Sequence, residues 1–206
     1  MKKQSRSRKR IILGITGSFG TGKSTAARIF KLLGAEIIDA DKIAHRIIRP
    51  QTRIYKKLIN AFGKDIVNKD RTINRNKLAK TVFGNKNSLQ RLNKLIHPKV
   101  IRVIRCKIKS SKAKFIIIDA PLLIEAGLSK MADKLIVVKA NREIQLKRLR
   151  KKFSFTMGEI LKRIRYQIPL KEKVRMADFV IDNSKTLENT KRQVIKIWKS
   201  VEKQVK

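Results

Sequence analysis

The sequence predicts an α/β fold on a doubly wound, five-stranded parallel sheet, and three observations predict it. Five short apolar runs recur along the chain: 11–16 (IILGIT), 35–40 (AEIIDA), 114–120 (KFIIIDA), 134–140 (KLIVVKA) and 179–183 (FVIDN). These runs are nearly continuous in their apolar character, as strands buried on both faces of a parallel sheet must be. Helical patterns separate them, which is the layout of strand–helix–strand units. A chain of 206 residues, 42% hydrophobic, can bury such a core without covalent staples, and its one cysteine, Cys106, excludes an internal disulfide framework.

Each connecting segment has its own signal. Residues 23–33 read as a helix closed by Gly34 in a C-terminal capping position. A second helix, from about 42 to 49, stops at Pro50. Residues 51–111 show helical spacing with few strand signals and a break expected at Pro98. Residues 142–152 are helical. Thr156-Met157-Gly158-Glu159 fits a capping box that opens a helix to about Gln167, ahead of Pro169. The last helix places Leu187, Thr190, Val194, Ile197, Trp198 and Val201 on one face, with Trp198 in the core. The segments 51–111 and about 151–173 read as insertions at the carboxyl edge of the sheet, where ligands bind in such folds.

Charge is the unusual quantity: 53 Lys and Arg against 15 Asp and Glu, a formal +38. Six of the first ten residues are basic, so residues 1–10 read as a basic tail. Beyond residue 10 the cations are scattered, not gathered in a stripe. Lys (34) and Ile (29) are both abundant, while Gly (9) and Pro (4) are few. That scatter reads as a compositional drift of exposed positions; a selected affinity for anions or nucleic acid is the alternative. Aromatic residues are only 5%, and no nucleic-acid module is recognisable, so a nucleic-acid partner is not required. A non-specific basic surface remains compatible. No run of apolar residues is long enough to span a membrane, and the tail is no secretory signal. The expected protein is a cytoplasmic monomer with no membrane partner. His45 and His97 are too few for a His-rich metal site.

The sharpest motif is Gly17-Ser18-Phe19-Gly20-Thr21-Gly22-Lys23-Ser24, which satisfies G-x-x-x-x-G-K-[ST] between a strand and a helix. Glycines let the backbone wrap a phosphate, successive N–H groups form an anion nest, and the helix N-terminus adds its dipole. Lys23 would bridge the β- and γ-phosphates, and Ser24 would ligate Mg²⁺. The fold is therefore expected to be of the P-loop nucleoside-triphosphatase type, with ATP bound by Gly17 to Thr25. Acidic residues end two strands. Asp119 follows four apolar residues and suits a metal-holding carboxylate, with Ser24 as its companion ligand. Asp39 and Asp41 follow the second strand. Asp41 is either a helix N-cap or a base near the acceptor hydroxyl, since phosphoryl transfer needs a carboxylate to take that proton.

Further motifs resemble the dephospho-CoA kinase family. They are the P-loop to Thr25, Ile38-Asp39-Ala40-Asp41 with Ala44, Leu95-Ile96-His97-Pro98, and Asp119-Ala120-Pro121-Leu122-Leu123-Ile124-Glu125-Ala126-Gly127-Leu128. Gln145 and Arg148, then Arg163, Gln167 and Pro169, then Ala177-Asp178 and Ile181-Asp182-Asn183 follow in family order, covering roughly residues 11–200. Adenylate and thymidylate kinases share the fold without the Asp119–Glu125 and Asp39–Asp41 signatures. The resemblance implies transfer of the ATP γ-phosphoryl to the ribose 3′-hydroxyl of 3′-dephospho-coenzyme A, the last step of coenzyme A biosynthesis. It implies one kinase domain over 11–206: a core of about 11–50, 112–150 and 174–206, a helical coenzyme A-binding region of about 51–111, and a lid of about 151–173. It assigns Asp41 as base, with Lys23 and Arg148 as the catalytic cations.

The resemblance also places Asp39, His97, Asp119, Pro121, Leu122 and Glu125 on the substrate side. Asn183 falls where this fold often sets the adenine. Glu125 can equally pair with a lysine, and His97 can be a polar contact at a helix end. Phe153 and Phe155 read as lid packing. Two departures stand out: Ser18 replaces a usual glycine, which matters only if φ is positive there, and Lys152 replaces a usual arginine, keeping charge but losing the fork. Another small-molecule kinase, a nucleic-acid-binding P-loop protein and a decayed enzyme are the competing readings.

Overall fold

The computed structural model describes residues 10–83, 85–152 and 156–204. Residues 1–9 of the basic tail, Phe153, Phe155 and the side chain of Lys152 lie outside the described residues. The strands are β1 (Ile11–Gly17), β2 (Glu36–Asp39), β3 (Phe115–Asp119), β4 (Lys134–Lys139) and β5 (Phe179–Asp182). They form one sheet in the order β2-β3-β1-β4-β5. β1 pairs in parallel with β3 and β4, and β4 with β5, so Ile15 lies opposite Asp119 and Gly17 opposite Val138. All five residues of β3 are buried, as its unbroken apolar run requires.

The helices are α1 (Lys23–Leu32), α2 (Ala40–Ile47), α3 (Arg53–Phe62), α4 (Arg75–Phe83), α5 (Lys86–Ser110), α6 (Arg142–Lys152), α7 (Met157–Arg165), α8 (Leu170–Arg175) and α9 (Leu187–Lys203). Two compact units emerge: one holds the chain to Ile38 and from Ser111 onward, and the other is Asp39–Ser110. The Asp39–Ser110 unit takes in α2 as well as α3, α4 and α5.

In the sheet-bearing unit, α1 and α9 pack against the sheet around Phe30, Phe115 and Trp198. The Phe115 and Trp198 ring centroids are 4.5 Å apart. α1 ends in a Schellman motif: Ala35 N–H donates to Phe30 C=O and Gly34 N–H to Lys31 C=O, both at 3.1 Å, with Gly34 at φ 105°. The Thr156–Glu159 capping box forms in full at the start of α7. Asp178, just before β5, accepts from Leu135 N–H and pairs with Lys134 at 3.0 Å; these contacts hold its carboxyl below the usual carboxylate range.

The Asp39–Ser110 unit has its own core of Leu58, Ile66, Ile73, Leu78 and Val82. Its helical stretch is interrupted by a 3-10 turn at Lys64–Ile66 and an antiparallel Val67–Ile73 bridge, which the sequence pattern did not signal. The expected break at Pro98 is absent: α5 runs through it. Proline removes the bond to the Lys94 carbonyl. Here, however, Pro98 and Lys94 are both exposed, where an unpaired carbonyl costs far less than in a buried position. Burial continues on either side, with Leu92 and Leu95 before the proline packed against that core and Val100 and Ile104 after it buried, and this tertiary burial outweighs the local penalty. His97 is accordingly a mid-helix residue, not a helix-end contact. A second correction concerns α2: its N-cap is Asp39, whose carboxylate accepts from Lys42 N–H at 2.8 Å, while Asp41 lies in the first turn.

Candidate active site

The P-loop leaves β1 at Gly17 and enters α1 at Lys23. Gly22 is the residue before the helix and takes φ 84°, a left-handed conformation that glycine tolerates without strain. A Cβ on Gly22 would sit 1.9 Å from Asn183 Nδ2 and 3.5 Å from Arg148 Nη1. Ser18 is not among the residues with positive φ, so its replacement of a glycine costs no backbone strain. Its carbonyl accepts both the Thr21 N–H at 3.2 Å and the Thr21 hydroxyl at 2.9 Å, which folds the loop on itself.

Three side chains from outside the loop brace it. Asn183, 4% exposed at the end of β5, donates from Nδ2 to Thr21 C=O at 2.9 Å. Its Oδ1 accepts from Thr190 Oγ1 at 2.8 Å, so both ends of the amide are engaged in holding the loop. Gln145, buried on α6, donates from Nε2 to the Phe19 carbonyl. Gln167, between α7 and α8, accepts the Phe19 N–H at 3.1 Å. The Phe19 residue is thus gripped at both of its backbone polar groups. Sequence reasoning recorded Gln145 and Gln167 as motif members without assigning them this contact. Gln145 lies three residues before Arg148, so the helical period puts both on one face.

The charged groups converge on the same loop. Lys23 forms an ion pair with Asp119, their side chains 15% and 9% exposed. Arg148 Nη1 is buried and has no hydrogen-bond partner among the described residues. A donor in that state beside Gly22 suits an anion, because an unmet buried donor costs about 1–3 kcal/mol. Ser24 is exposed in the first turn of α1.

The loop after β3 carries a buried polar network. Thr16 Oγ1 donates to Pro121 C=O at 3.1 Å, and Lys173 Nζ donates to the same carbonyl at 2.8 Å. Lys173 also pairs with Glu125 Oε1 at 2.9 Å, and that oxygen accepts Ile168 N–H at 2.9 Å. Of the two roles open to Glu125, a lysine pair is therefore formed. Lys173 is fully buried and was missed by sequence reasoning, although Leu170 and Val174 flank it at helical spacing as a core-facing stripe would. Leu122 is half-buried in this loop.

Asp39, Asp41 and His97 belong to the Asp39–Ser110 unit. Asp41 is exposed. His97 is half-buried, and burial pushes its pKa below the ordinary histidine value. In the same unit Arg75 Nη1 lies 2.7 Å from His45 Nε2.

A family model described as dephospho-CoA kinase matches residues 11–189. The chain belongs to the dephospho-CoA kinase family. It is 47% identical over 194 residues to the dephospho-CoA kinase of Carboxydothermus hydrogenoformans, covering 91% of this chain and 94% of that one. It is 40% identical to the dephospho-CoA kinase of Geobacter metallireducens, over 92% of this chain and 96% of that one. Among solved structures, one from Thermus thermophilus superposes with a TM-score of 0.82 at 29% identity, over 93% of this chain and 97% of that one. The dephospho-CoA kinase from Campylobacter jejuni gives a TM-score of 0.60 at 28% identity, over 94% and 98%. A shikimate kinase from Bacteroides thetaiotaomicron, at 11% identity and TM-score 0.54, shares the fold. The match to the dephospho-CoA kinase family covers the P-loop, the Asp119–Glu125 loop, Arg148 and Lys173 alike. No helix among the described residues is long and apolar enough to cross a membrane.

Proposed function

We propose that this member of the dephospho-CoA kinase family transfers the γ-phosphoryl of ATP to the ribose 3′-hydroxyl of 3′-dephospho-coenzyme A. The 3′ oxygen attacks the γ phosphorus, the bond from that phosphorus to the β–γ bridging oxygen breaks, and ADP departs. Asp41 takes the proton that the hydroxyl loses. A carboxylate serves here because the proton leaves late, when the oxygen is already bonding to phosphorus. Lys23 neutralises charge on the β- and γ-phosphates, and Arg148 meets the charge that grows in the transition state. Asp39, His97, Pro121 and Leu122 contribute to holding the acceptor.

Mg²⁺ fits the donor set. Ser24 offers a hydroxyl and Asp119 a carboxylate, both hard oxygen ligands, and Mg²⁺ ordinarily takes few protein ligands and fills its shell with phosphate oxygens and water. Among the described residues no cluster of three His, Cys, Asp or Glu could hold a metal without such help. When bound, the ion supplies electrostatic neutralisation of the phosphates.

The observation that carries this reading is a P-loop whose Lys23 pairs with Asp119 and whose Gly22 lies next to a buried Arg148 nitrogen that has no hydrogen-bond partner among the described residues. The test is ADP production with 3′-dephospho-coenzyme A, AMP, CMP and dTMP as acceptors, with and without Mg²⁺. Turnover with the first acceptor alone, dependent on Mg²⁺ and lost in Asp41→Asn, is the expected result. Turnover with a nucleoside monophosphate instead would refute the acceptor.

A further inference from the structure

We infer that Lys173 is a positioning residue for phosphoryl transfer: it fixes the turn that follows Asp119 and ties it to the chain beside Gln167. The inference rests on the kinase reading above. Lysine is rarely buried completely, yet Lys173 is 0% exposed. Replacing a buried ion pair with apolar groups of similar size is often neutral or stabilising, so stability alone does not explain this one. What the ammonium adds is direction. It donates to Pro121 C=O at 2.8 Å and contacts Glu125 Oε1 at 2.9 Å, gripping the loop at two points four residues apart.

Both points connect to groups already described. Pro121 follows Asp119 by two residues, and its carbonyl is held from the other side by Thr16 of β1 at 3.1 Å. Glu125 Oε1 also accepts Ile168 N–H at 2.9 Å. Ile168 is the neighbour of Gln167, which holds Phe19 of the P-loop. One buried ammonium thus stands between the partner of Lys23 and the segment that grips the loop. Asp119 must keep its place while phosphate charge competes for Lys23, and a displacement of about 1 Å at such a site costs about 100-fold in rate.

The test compares wild type, Lys173→Met and the double variant Lys173→Met/Glu125→Gln. The single variant strands the Glu125 carboxylate and can fail to fold for that reason. The double variant removes both charges and keeps an oxygen acceptor for Ile168 N–H. Its urea midpoint is expected to match wild type, while kcat falls about 10- to 100-fold with both KM values within about threefold. Wild-type kcat at wild-type stability would overturn the inference, because the pair would then only neutralise charge. A raised KM for dephospho-coenzyme A with kcat intact would overturn it too, making the pair a substrate contact. Amide exchange reads the same link without turnover. Faster exchange in both 119–126 and 167–170 of the double variant supports the inference. Unchanged exchange there overturns it, whatever the activity. Absence of wild-type turnover would instead refute the kinase reading.

Discussion

The ammonium of Lys23, the first residue of α1, rests on the carboxylate of Asp119, the last residue of β3. The pairing joins the P-loop to the neighbouring strand at the edge where both strands end. It also pre-sets the lysine, since a side chain already held in one place loses less entropy when a phosphate binds. Lys23→Met is therefore expected to act twice. It removes the cation proposed to meet the phosphates, which is expected to lower kcat by about 10²–10³-fold. It also leaves Asp119, 9% exposed, without its lysine, and breaking a buried pair costs about 3 kcal/mol. Steady-state kinetics and urea melts read the two effects separately. A variant with wild-type kcat would remove Lys23 from the reaction.

The two glutamines on Phe19 should differ in consequence. Gln167 accepts a single N–H at 3.1 Å, and its loss in Gln167→Leu removes about 1 kcal/mol of loop restraint. That is expected to raise the KM for ATP about fivefold with little effect on melting. Gln145 is buried and reaches both the Phe19 carbonyl and Ser18 Oγ. Gln145→Leu leaves buried acceptors unmet and is expected to lower stability by about 1–3 kcal/mol as well. Equal melting curves for the two variants would contradict this ranking.

Much of this was legible beforehand, and the misses share a cause. The strands, the P-loop and the Thr156 capping box were readable because each is encoded locally, by an apolar run, a glycine spacing or a cap. Pro98 was misread because its local rule was outvoted by the burial of Leu92 and Leu95 before it and of Val100 and Ile104 after it, which only tertiary packing makes decisive. The cap of α2 fell to Asp39 instead of Asp41, a two-residue shift within an acidic pair. Lys173 was hidden because a lysine at a core position has no meaning until its partner, Glu125, is found 48 positions earlier in the chain. The apolar run around Glu125 was the available hint: a carboxylate among Leu122, Leu123 and Ile124 needs a cation. Fold analogy sets Asn183 where the adenine often falls, but it gave no sign of the amide's bonds to Thr21 and Thr190, which only the folded chain brings within reach.

Gly22 has no room and no substitute. Its φ of 84° disfavours any side chain, and a Cβ would meet Asn183 Nδ2 at 1.9 Å. Gly22→Ala is expected to abolish ATP binding, read by titration, while circular dichroism retains the helical signal. Asn183→Ala opens the space but leaves Thr21 C=O and the Thr190 hydroxyl without their partner, at about 1–3 kcal/mol. The double variant should stay weak for ATP, because the positive φ persists. Recovery of ATP binding in the double variant would mean the clash alone matters.

His97 gives a pH-dependent stability whose sign is fixed by its burial. Burial disfavours the imidazolium, so the folded-state pKa lies below the ordinary value of 6.5. Between that folded value and 6.5 the unfolded chain binds the extra proton. The contribution is therefore complete above pH 6.5 and is lost as pH falls below it. Urea midpoints at pH 7.5 and 5.5 should drop more for wild type than for His97→Gln. Parallel drops would place His97 in solvent.

Arg148 is where geometry and kinetics can be separated most cleanly. Its Nη1 is buried beside Gly22 with no hydrogen-bond partner among the described residues, so a guanidinium donor stands ready for an anion. Two roles suit such a donor. A contact made equally in ground and transition states lowers KM for ATP; a contact that tightens as charge develops raises kcat. The transition-state role follows if the donor stays unmet until the γ-phosphoryl begins to move. Arg148→Lys keeps the charge and removes the planar fork. It is expected to cut kcat by about 10- to 100-fold with the KM for ATP within about threefold, and Arg148→Ala to cut kcat further. A rise in KM for ATP at unchanged kcat in Arg148→Lys would make the residue a ground-state phosphate contact instead.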